Sequence, residues 1–354
     1  MNAAEVGSSP CSAGALLSKE MIYLMNDGMT AVVFPGQGSQ RPGMGRDFHD
    51  AIDVCRNTYE EASATLGWDV AALCFGDNDT RLNLTEYAQP CILATEIAML
   101  RGIEARYGFT PHYFGGHSLG EYTALVAAGA LPFSDALRTV RLRGHLMQDA
   151  VPVGVGGMEA IIAPNLDLEL IRQSLQELPI DVANDNSTQQ VVISGQASCM
   201  PEAEARLAAA LGETSGLRFV PLNVSAPFHS RFMTIIRDAF KEALEAILTK
   251  IKPLHAGSVT SNFTGRFHSR NSGEIIDQLV AQLSGTVQWR QNMVSIATAA
   301  SAIFEIGPSR PLRDFFKQTG IACRSITTLS AAERIFVTPQ RNTTPLPFET
   351  GLCA

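Results

Sequence analysis

Ser118 sits between Gly116 and Gly120 in the run Gly115-Gly116-His117-Ser118-Leu119-Gly120-Glu121-Tyr122. Where a strand turns sharply into a helix, the backbone around the central residue leaves no room for side chains two positions before and after it. The central hydroxyl is then held out at the strand's carboxyl end. The apolar pair Tyr113-Phe114 enters this turn and a helical pattern from Glu121 to Ala128 leaves it. A hydroxyl so placed lies at a helix N-terminus, where free N–H groups and the positive end of the dipole favour the negative charge of an acyl-transfer intermediate. The chemistry allowed is nucleophilic attack by Ser118 on an acyl group. The same pattern also suits a plain glycine-rich turn that happens to contain serine, so its context must decide.

A nucleophilic serine needs a base, and two histidines offer themselves. His117 is adjacent in sequence, and His229 stands at the tip of the loop Asn223-Val-Ser-Ala-Pro-Phe-His229-Ser230. A second glycine loop, Pro35-Gly36-Gln37-Gly38-Ser39-Gln40, follows the apolar run Ala31-Phe34. It lacks the Lys-Ser/Thr of a phosphate-binding loop, and Gly43 falls out of register for a dinucleotide fingerprint. It is either a plain turn or a place where backbone approaches a bound group. Arg141 and Arg143 flank the stripe Leu137, Val140, Gly144 and Met147, and periodicity alone does not say which guanidinium turns inward or whether both reach solvent.

The elements that must position these groups read as α/β. Strands are expected at Ala31–Phe34, before Ser118, at 257–261 and at Ala302–Ile306; helices at 51–65, 92–107, from Ser134 as N-cap, 235–250 and 275–283. Between Gly157 and Val224 the order changes to strand 158–163, helix 166–178, strand 180–183, strand 190–194, helix 200–211 and strand 217–220. That β-α-β-β-α-β order is the ferredoxin-like split motif, and it marks a small inserted subdomain. The expected organisation is an extension over 1–29, a large subdomain over 30–156 and 224–335, the small one over 157–223, and a tail over 336–354. The extension reads as disordered or a helix fragment, with Met21, Met25 and Met29 all possible starts; Pro339, Pro345 and Pro347 mark the tail as loose.

Composition narrows the classes. A chain of 354 residues with 45% hydrophobic residues is globular, and its net charge of −8 argues against nucleic acid or an anionic membrane as the main partner. The 7 cysteines are scattered without metal-binding spacing, which suits reduced thiols in a cytoplasmic protein and predicts no metal site.

Six segments together carry a resemblance: Gly36-Gln37-Gly38-Ser39-Gln40, Gly116-His117-Ser118-Leu119-Gly120-Glu121, the helix ending Met147-Gln148, Ala226-Pro227-Phe228-His229-Ser230, Val287-Gln288-Trp289 and Glu305-Ile306-Gly307-Pro308. In this order, over roughly residues 30 to 330, the chain resembles the malonyl-CoA:acyl-carrier-protein transacylase family. The resemblance implies an α/β-hydrolase-like large subdomain and a ferredoxin-like small one with the active site between them. It implies Ser118 as nucleophile, His229 rather than His117 as base, and the backbone amides of Gln37 and Leu119 as oxyanion hole. Arg143, 25 positions after Ser118, matches the arginine that holds the malonyl carboxylate, with Gln89, His117 and Phe228 lining the pocket. Phe228 matches the malonyl form of its loop, where a bulky ring leaves little room for an α-methyl branch. No carboxylate completes the triad in this family; the main-chain carbonyl of Gln288 is expected behind the histidine, with Asn184 nearby, and Asp181 and Asp185 are not used. The implied substrates are malonyl-CoA and a holo acyl carrier protein, with no bound cofactor.

The segment 228–233 and the long N-terminal extension are more like discrete transferases serving polyketide assembly lines than the fatty-acid enzyme. Two other classes share the motifs. A thioester hydrolase clearing stalled acyl chains would use the same serine and histidine but be expected to lack Arg143; a non-catalytic docking module would not need Ser118 and His229. An acidic carrier would have to meet local basic residues, and Arg310, Arg313 and Lys317 are candidates after the Gly307-Pro308 loop.

Overall fold

The computed structural model describes residues 28–77, 79–212 and 216–337. Nearly all of the expected N-terminal extension, and the tail from residue 338, lie outside the described residues.

Two four-stranded sheets organise the chain. The first is parallel, in the order β2-β1-β7-β8, from β1 (Thr30–Phe34), β2 (Tyr113–Gly116), β7 (Ala302–Ile306) and β8 (Arg324–Ile326). Alternation along β1 shows why it reads as a continuous apolar run. Val32 and Phe34 enter the main core, while Ala31 and Val33 join Trp289, Met293, Ile296 and Phe316 on the opposite face. Both faces of a parallel sheet are covered by helices, so neither can be polar.

The main face is covered by α1 (Asp53–Leu66), α2 (Thr85–Tyr107), α3 (Gly120–Ala127) and α4 (Phe133–Asp149). Helix α1 ends at Gly67 in the left-handed conformation, as its sequence predicts. Helix α2 starts seven residues before the apolar stripe that announced it and takes in Pro90. Helix α4 is capped by Pro132, with no side-chain cap, so Ser134 lies inside the helix instead of capping it.

The second sheet is antiparallel, in the order β4-β5-β3-β6, from β3 (Gly156–Ile162), β4 (Ile180–Ser187), β5 (Gln190–Gln196) and β6 (Arg218–Pro221). Helices α5 (Leu168–Ser174) and α6 (Met200–Leu211) bury Ile171 and Leu207 against its Ile161 and Ile193. Met158, Ala160, Ala183 and Val192 face the other way into the main core. Strand β4 is also stitched to the segment just before Trp289: the amide of Asp185 donates to the Val287 carbonyl at 3.0 Å, and that of Val287 to Ala183 at 2.8 Å.

Further helices are α7 (Arg237–Glu245), α8 (Ser272–Ser284), α9 (Trp289–Ala299), α10 (Pro311–Gln318) and α11 (Leu329–Phe336), besides short ones at Arg46–Ala51, Val70–Phe75 and Pro253–Ala256. The long helix expected over 235–250 is three pieces, a 3-10 turn at Arg231–Ile236, α7, and another 3-10 turn at Leu248–Lys250. The strand expected over 257–261 is reduced to isolated bridges, Phe114 with Val259 and Thr260 with Phe267. Among the described residues no helix is long and apolar enough to cross a membrane.

Candidate active site

Strand β2 delivers Ser118 through a turn with almost no free volume. A Cβ on Gly116 would lie 2.0 Å from the Gly120 carbonyl oxygen, and one on Gly120 would lie 2.2 Å from that of Phe34. No rotamer relieves either contact, because the obstruction is backbone. Ser118 takes φ 53°, a left-handed conformation unfavourable for a residue with a Cβ. Its amide is held by Asn262 Oδ1 at 2.6 Å, and Asn262 Nδ2 donates to the Gly116 carbonyl at 2.7 Å, so one side chain braces both limbs of the turn.

His229 comes from the opposite wall, also left-handed, at φ 56°. Its Nε2 is 2.7 Å from Ser118 Oγ and its Nδ1 2.7 Å from the main-chain oxygen of Gln282. A carbonyl only accepts, so Nδ1 carries the proton and Nε2 presents its lone pair to the serine hydroxyl. Burial, then the nearby Arg143 charge, push the His229 pKa down to about 3, with the Gln282 carbonyl pulling partly the other way. At neutral pH the ring is an unprotonated base.

The carbonyl behind this ring is therefore that of Gln282, and the expectation of Gln288 is corrected. Gln282 is in the last turn of α8, whose carbonyls have no partner further along the helix. Gln288 is the N-cap of α9 and its carbonyl accepts from the Asn292 amide at 2.9 Å. Asn184 is corrected too: it lies buried in β4, bridged to Val287, and among the described residues no hydrogen bond joins it to His229. The residue of that strand that does touch a histidine is Asn186, whose Oδ1 is 2.8 Å from His117 Nε2. His117 is thus turned away from its neighbour's hydroxyl, and burial pushes its pKa down to about 4. Asp181 and Asp185 pair with Arg231 and Arg290 rather than with the His229 ring.

Helix α4 separates the two arginines left open by periodicity. Arg141 is half-exposed and pairs with Glu86 at 3.2 Å. Arg143 is buried, donating from Nη2 to Ser118 Oγ at 3.1 Å and to Gln282 Oε1 at 3.0 Å, and from Nη1 to Gln89 Oε1 at 2.9 Å. The guanidinium also lies over the Tyr122 ring, at 5.4 Å. Every hydrogen-bond acceptor it meets is neutral, which is costly for a buried cation unless an anion comes to it.

The Gly36–Gln40 loop closes the site at the same edge of the parallel sheet. A Cβ on Gly36 would lie 2.4 Å from the His117 carbonyl oxygen, so this glycine permits close approach of the two loops. The Gln37 side chain reaches Thr85 Oγ1 at 3.1 Å. Among the described residues, the amides of Gln37 and of Leu119, the N-cap of α3, have no protein acceptor. Phe228 is buried beside His229. No group of three or more metal-ligating side chains occurs among the described residues.

Sequence reasoning missed Gln282, Asn262, Glu121 as a buried acceptor, and His268. None lies in a spacing that announces chemistry. Gln282 sits on the buried side of an amphipathic helix with Ile275, Leu279 and Leu283, a polar residue in an apolar stripe, which is the one signal that could have found it.

The chain has relatives among known proteins. The acyl transferase domain model matches residues 31–344. The malonyl CoA-acyl carrier protein transacylase of Bacillus subtilis strain 168 is 37% identical over 303 residues, covering 84% of this chain and 92% of the relative. That of Escherichia coli K12 is 37% identical over 307 residues, covering 85% and 94%. Among solved structures, the acyl-carrier-protein S-malonyltransferase of Burkholderia pseudomallei superposes with TM-score 0.79 at 36% identity, covering 88% of this chain and all of that one. A complex of a holo type II polyketide acyl carrier protein with its malonyl-transacylase gives 0.79 at 34%, covering 88% and 99%. On the domain match over most of its length and on these relatives, the chain belongs to the acyl transferase domain family, among the malonyl CoA-acyl carrier protein transacylases.

Proposed function

We propose that this chain moves malonyl from malonyl-CoA to the phosphopantetheine thiol of an acyl carrier protein through an ester on Ser118. The observation that carries the reading is the meeting at one oxygen of His229 Nε2, at 2.7 Å, and the buried Arg143 guanidinium, at 3.1 Å. His229 takes the Ser118 proton as Oγ attacks the thioester carbonyl, then returns it to the departing coenzyme A sulfur. In the second half the carrier thiol gives its proton to His229 and attacks the ester, and Ser118 is restored. The Gln37 and Leu119 amides stabilise the oxyanion in both halves. Arg143 binds the free carboxylate of the acyl group, with Gln89 fixing one end of the guanidinium, while His117 and Phe228 shape the pocket. No bound cofactor is needed for these steps.

The two-sheet organisation supports an α/β-hydrolase-like subdomain over 30–156 and 224–335, and the order β4-β5-β3-β6 with two helices supports a ferredoxin-like one over 157–223. The free thiols of Cys55, Cys74 and Cys91 suit a cytoplasmic setting. Hydrolysis is the weaker reading, because a hydrolase of plain acyl chains has no use for a buried guanidinium aimed at the serine and hydrogen-bonded only to neutral groups. Service to a polyketide or a fatty-acid pathway is compatible with the same half-reactions.

Incubation with labelled malonyl-CoA tests the proposal. The expected result is one malonyl ester by intact mass, discharged by a holo carrier protein, absent in Ser118→Ala and formed about 10² to 10⁴ times more slowly in His229→Ala. Discharge to free malonate at the same rate without carrier would make the enzyme a hydrolase.

A further inference from the structure

Behind the Ser118 turn lies a second set of polar groups sealed from solvent. Glu121 is fully buried on α3. Its Oε1 meets His268 Nε2 at 2.8 Å, and its Oε2 accepts from the Asn262 amide at 3.0 Å and from Gln282 Nε2 at 2.6 Å. Gln282 Nε2 also donates to the Ser118 carbonyl at 3.0 Å. Its Oε1 accepts from Arg143.

Hydrogen-bond chemistry settles the direction of this amide. Both hydrogens of Gln282 Nε2 are taken, by Glu121 Oε2 and the Ser118 carbonyl. Reversed, the amide would set an oxygen against two acceptors with no proton between them, and its NH2 against a guanidinium that can only donate. A carboxylate at position 121 therefore forces the oxygen end of Gln282 toward Arg143. The amide positions the guanidinium without putting a carboxylate in hydrogen-bond contact with it, the Glu121 charge acting on it only from behind the amide.

We propose that Glu121, braced by His268, orients the Gln282 side-chain amide and through it holds Arg143 for the carboxylate of the acyl group. The buried pair thereby sets the preference for malonyl over an uncharged acyl group. Glu121, His268 and the Gln282 side chain are positioning residues in this account, which rests on the acyl-transfer reading of Ser118. The Gln282 main-chain carbonyl on His229 is separate, and side-chain substitution leaves it in place.

The test compares Glu121→Gln, Gln282→Met and the double variant in the full chain, measuring Ser118 acylation rates from malonyl-CoA and from acetyl-CoA by intact mass, with thermal unfolding alongside. We expect the malonyl rate to fall about tenfold or more in each single variant, because a charge-assisted contact loses its geometry. The acetyl rate should fall too, because Gln282 Nε2 also holds the Ser118 carbonyl, but by a clearly smaller factor, so that the malonyl-to-acetyl ratio drops; the double variant should be no worse than the weaker single, since both break one chain of contacts. Parallel losses with both substrates, unchanged selectivity in a folded variant, or losses that multiply would overturn the proposal. Should Glu121→Gln not fold, His268→Gln, which keeps the carboxylate but removes its ring, is read by the same malonyl-to-acetyl ratio. Failure of wild type to acylate at all would instead overturn the serine reading.

Discussion

At the scale of single residues, the proposed base is kept in the protonation state that its job requires. His229 is buried and beside a guanidinium, so its pKa lies near 3 against an ordinary 6.5. A base must be unprotonated to act, so malonylation of Ser118 should stay flat as pH falls from 7 to about 5, where an ordinary histidine would already be protonated. An acid limb at pH 6.5 in a pH profile of single-turnover acylation would show that the ring is not desolvated. The same burial costs stability in acid. Between pH 6.5 and about 4 the unfolded chain binds protons on His117 and His229 that the folded chain refuses, so these residues lower stability as pH falls through that window.

At the scale of elements, the turn between β2 and α3 concentrates the constraint. Gly116→Ala places a methyl carbon within 2.0 Å of one backbone atom and 2.7 Å of another, so β2 and α3 must separate. We expect a loss of about 1 to 3 kcal/mol, read by urea unfolding, together with loss of most acylation because Ser118 Oγ moves from His229 Nε2. Gly154→Ala is the control, since a Cβ there meets nothing within 4 Å and its cost is confined to its positive φ. A Gly116 variant no less stable than this control would remove the steric account of the turn. The end of α8 shows the complementary device: a helix that stops at Gly285 leaves the Gln282 carbonyl free for the imidazole.

At the scale of the whole molecule, an enzyme of net charge −8 would have to meet a carrier of acidic surface through local positive charge. The parallel order β2-β1-β7 puts the β7 carboxyl end, and so Arg310 and α10, on the same edge as Ser118. Of the candidates read from sequence, Arg313 is tied to Asp314 at 2.9 Å, whereas Arg310 and Lys317 are exposed. Arg310→Glu with Lys317→Glu should leave self-malonylation unchanged and slow transfer to the carrier several-fold, more so at low salt, where screening is weakest. Equal transfer rates at low ionic strength would move the docking surface elsewhere.

Much of the chemistry is legible in the amino-acid sequence, because local rules write it. Glycines at 116 and 120 are dictated by backbone crowding within a few residues, and β1 reads as buried because both its faces are. The β-α-β-β-α-β order of the insertion is a property of pattern along the chain. What only tertiary structure decided are the contacts between residues far apart in sequence. His229 could have rested on the carbonyl of Gln288, yet α8 ends where it exposes that of Gln282, and no periodicity records which last-turn carbonyl a ring will meet. Arg141 and Arg143 lie on one helix and are separated by burial alone. The pair of Glu121 and His268 is 147 residues apart, and its effect on Arg143 passes through an amide whose direction is set by which neighbours can only accept. Such a choice exists only once the chain has folded, because it depends on the donors and acceptors that the fold has shut away from water.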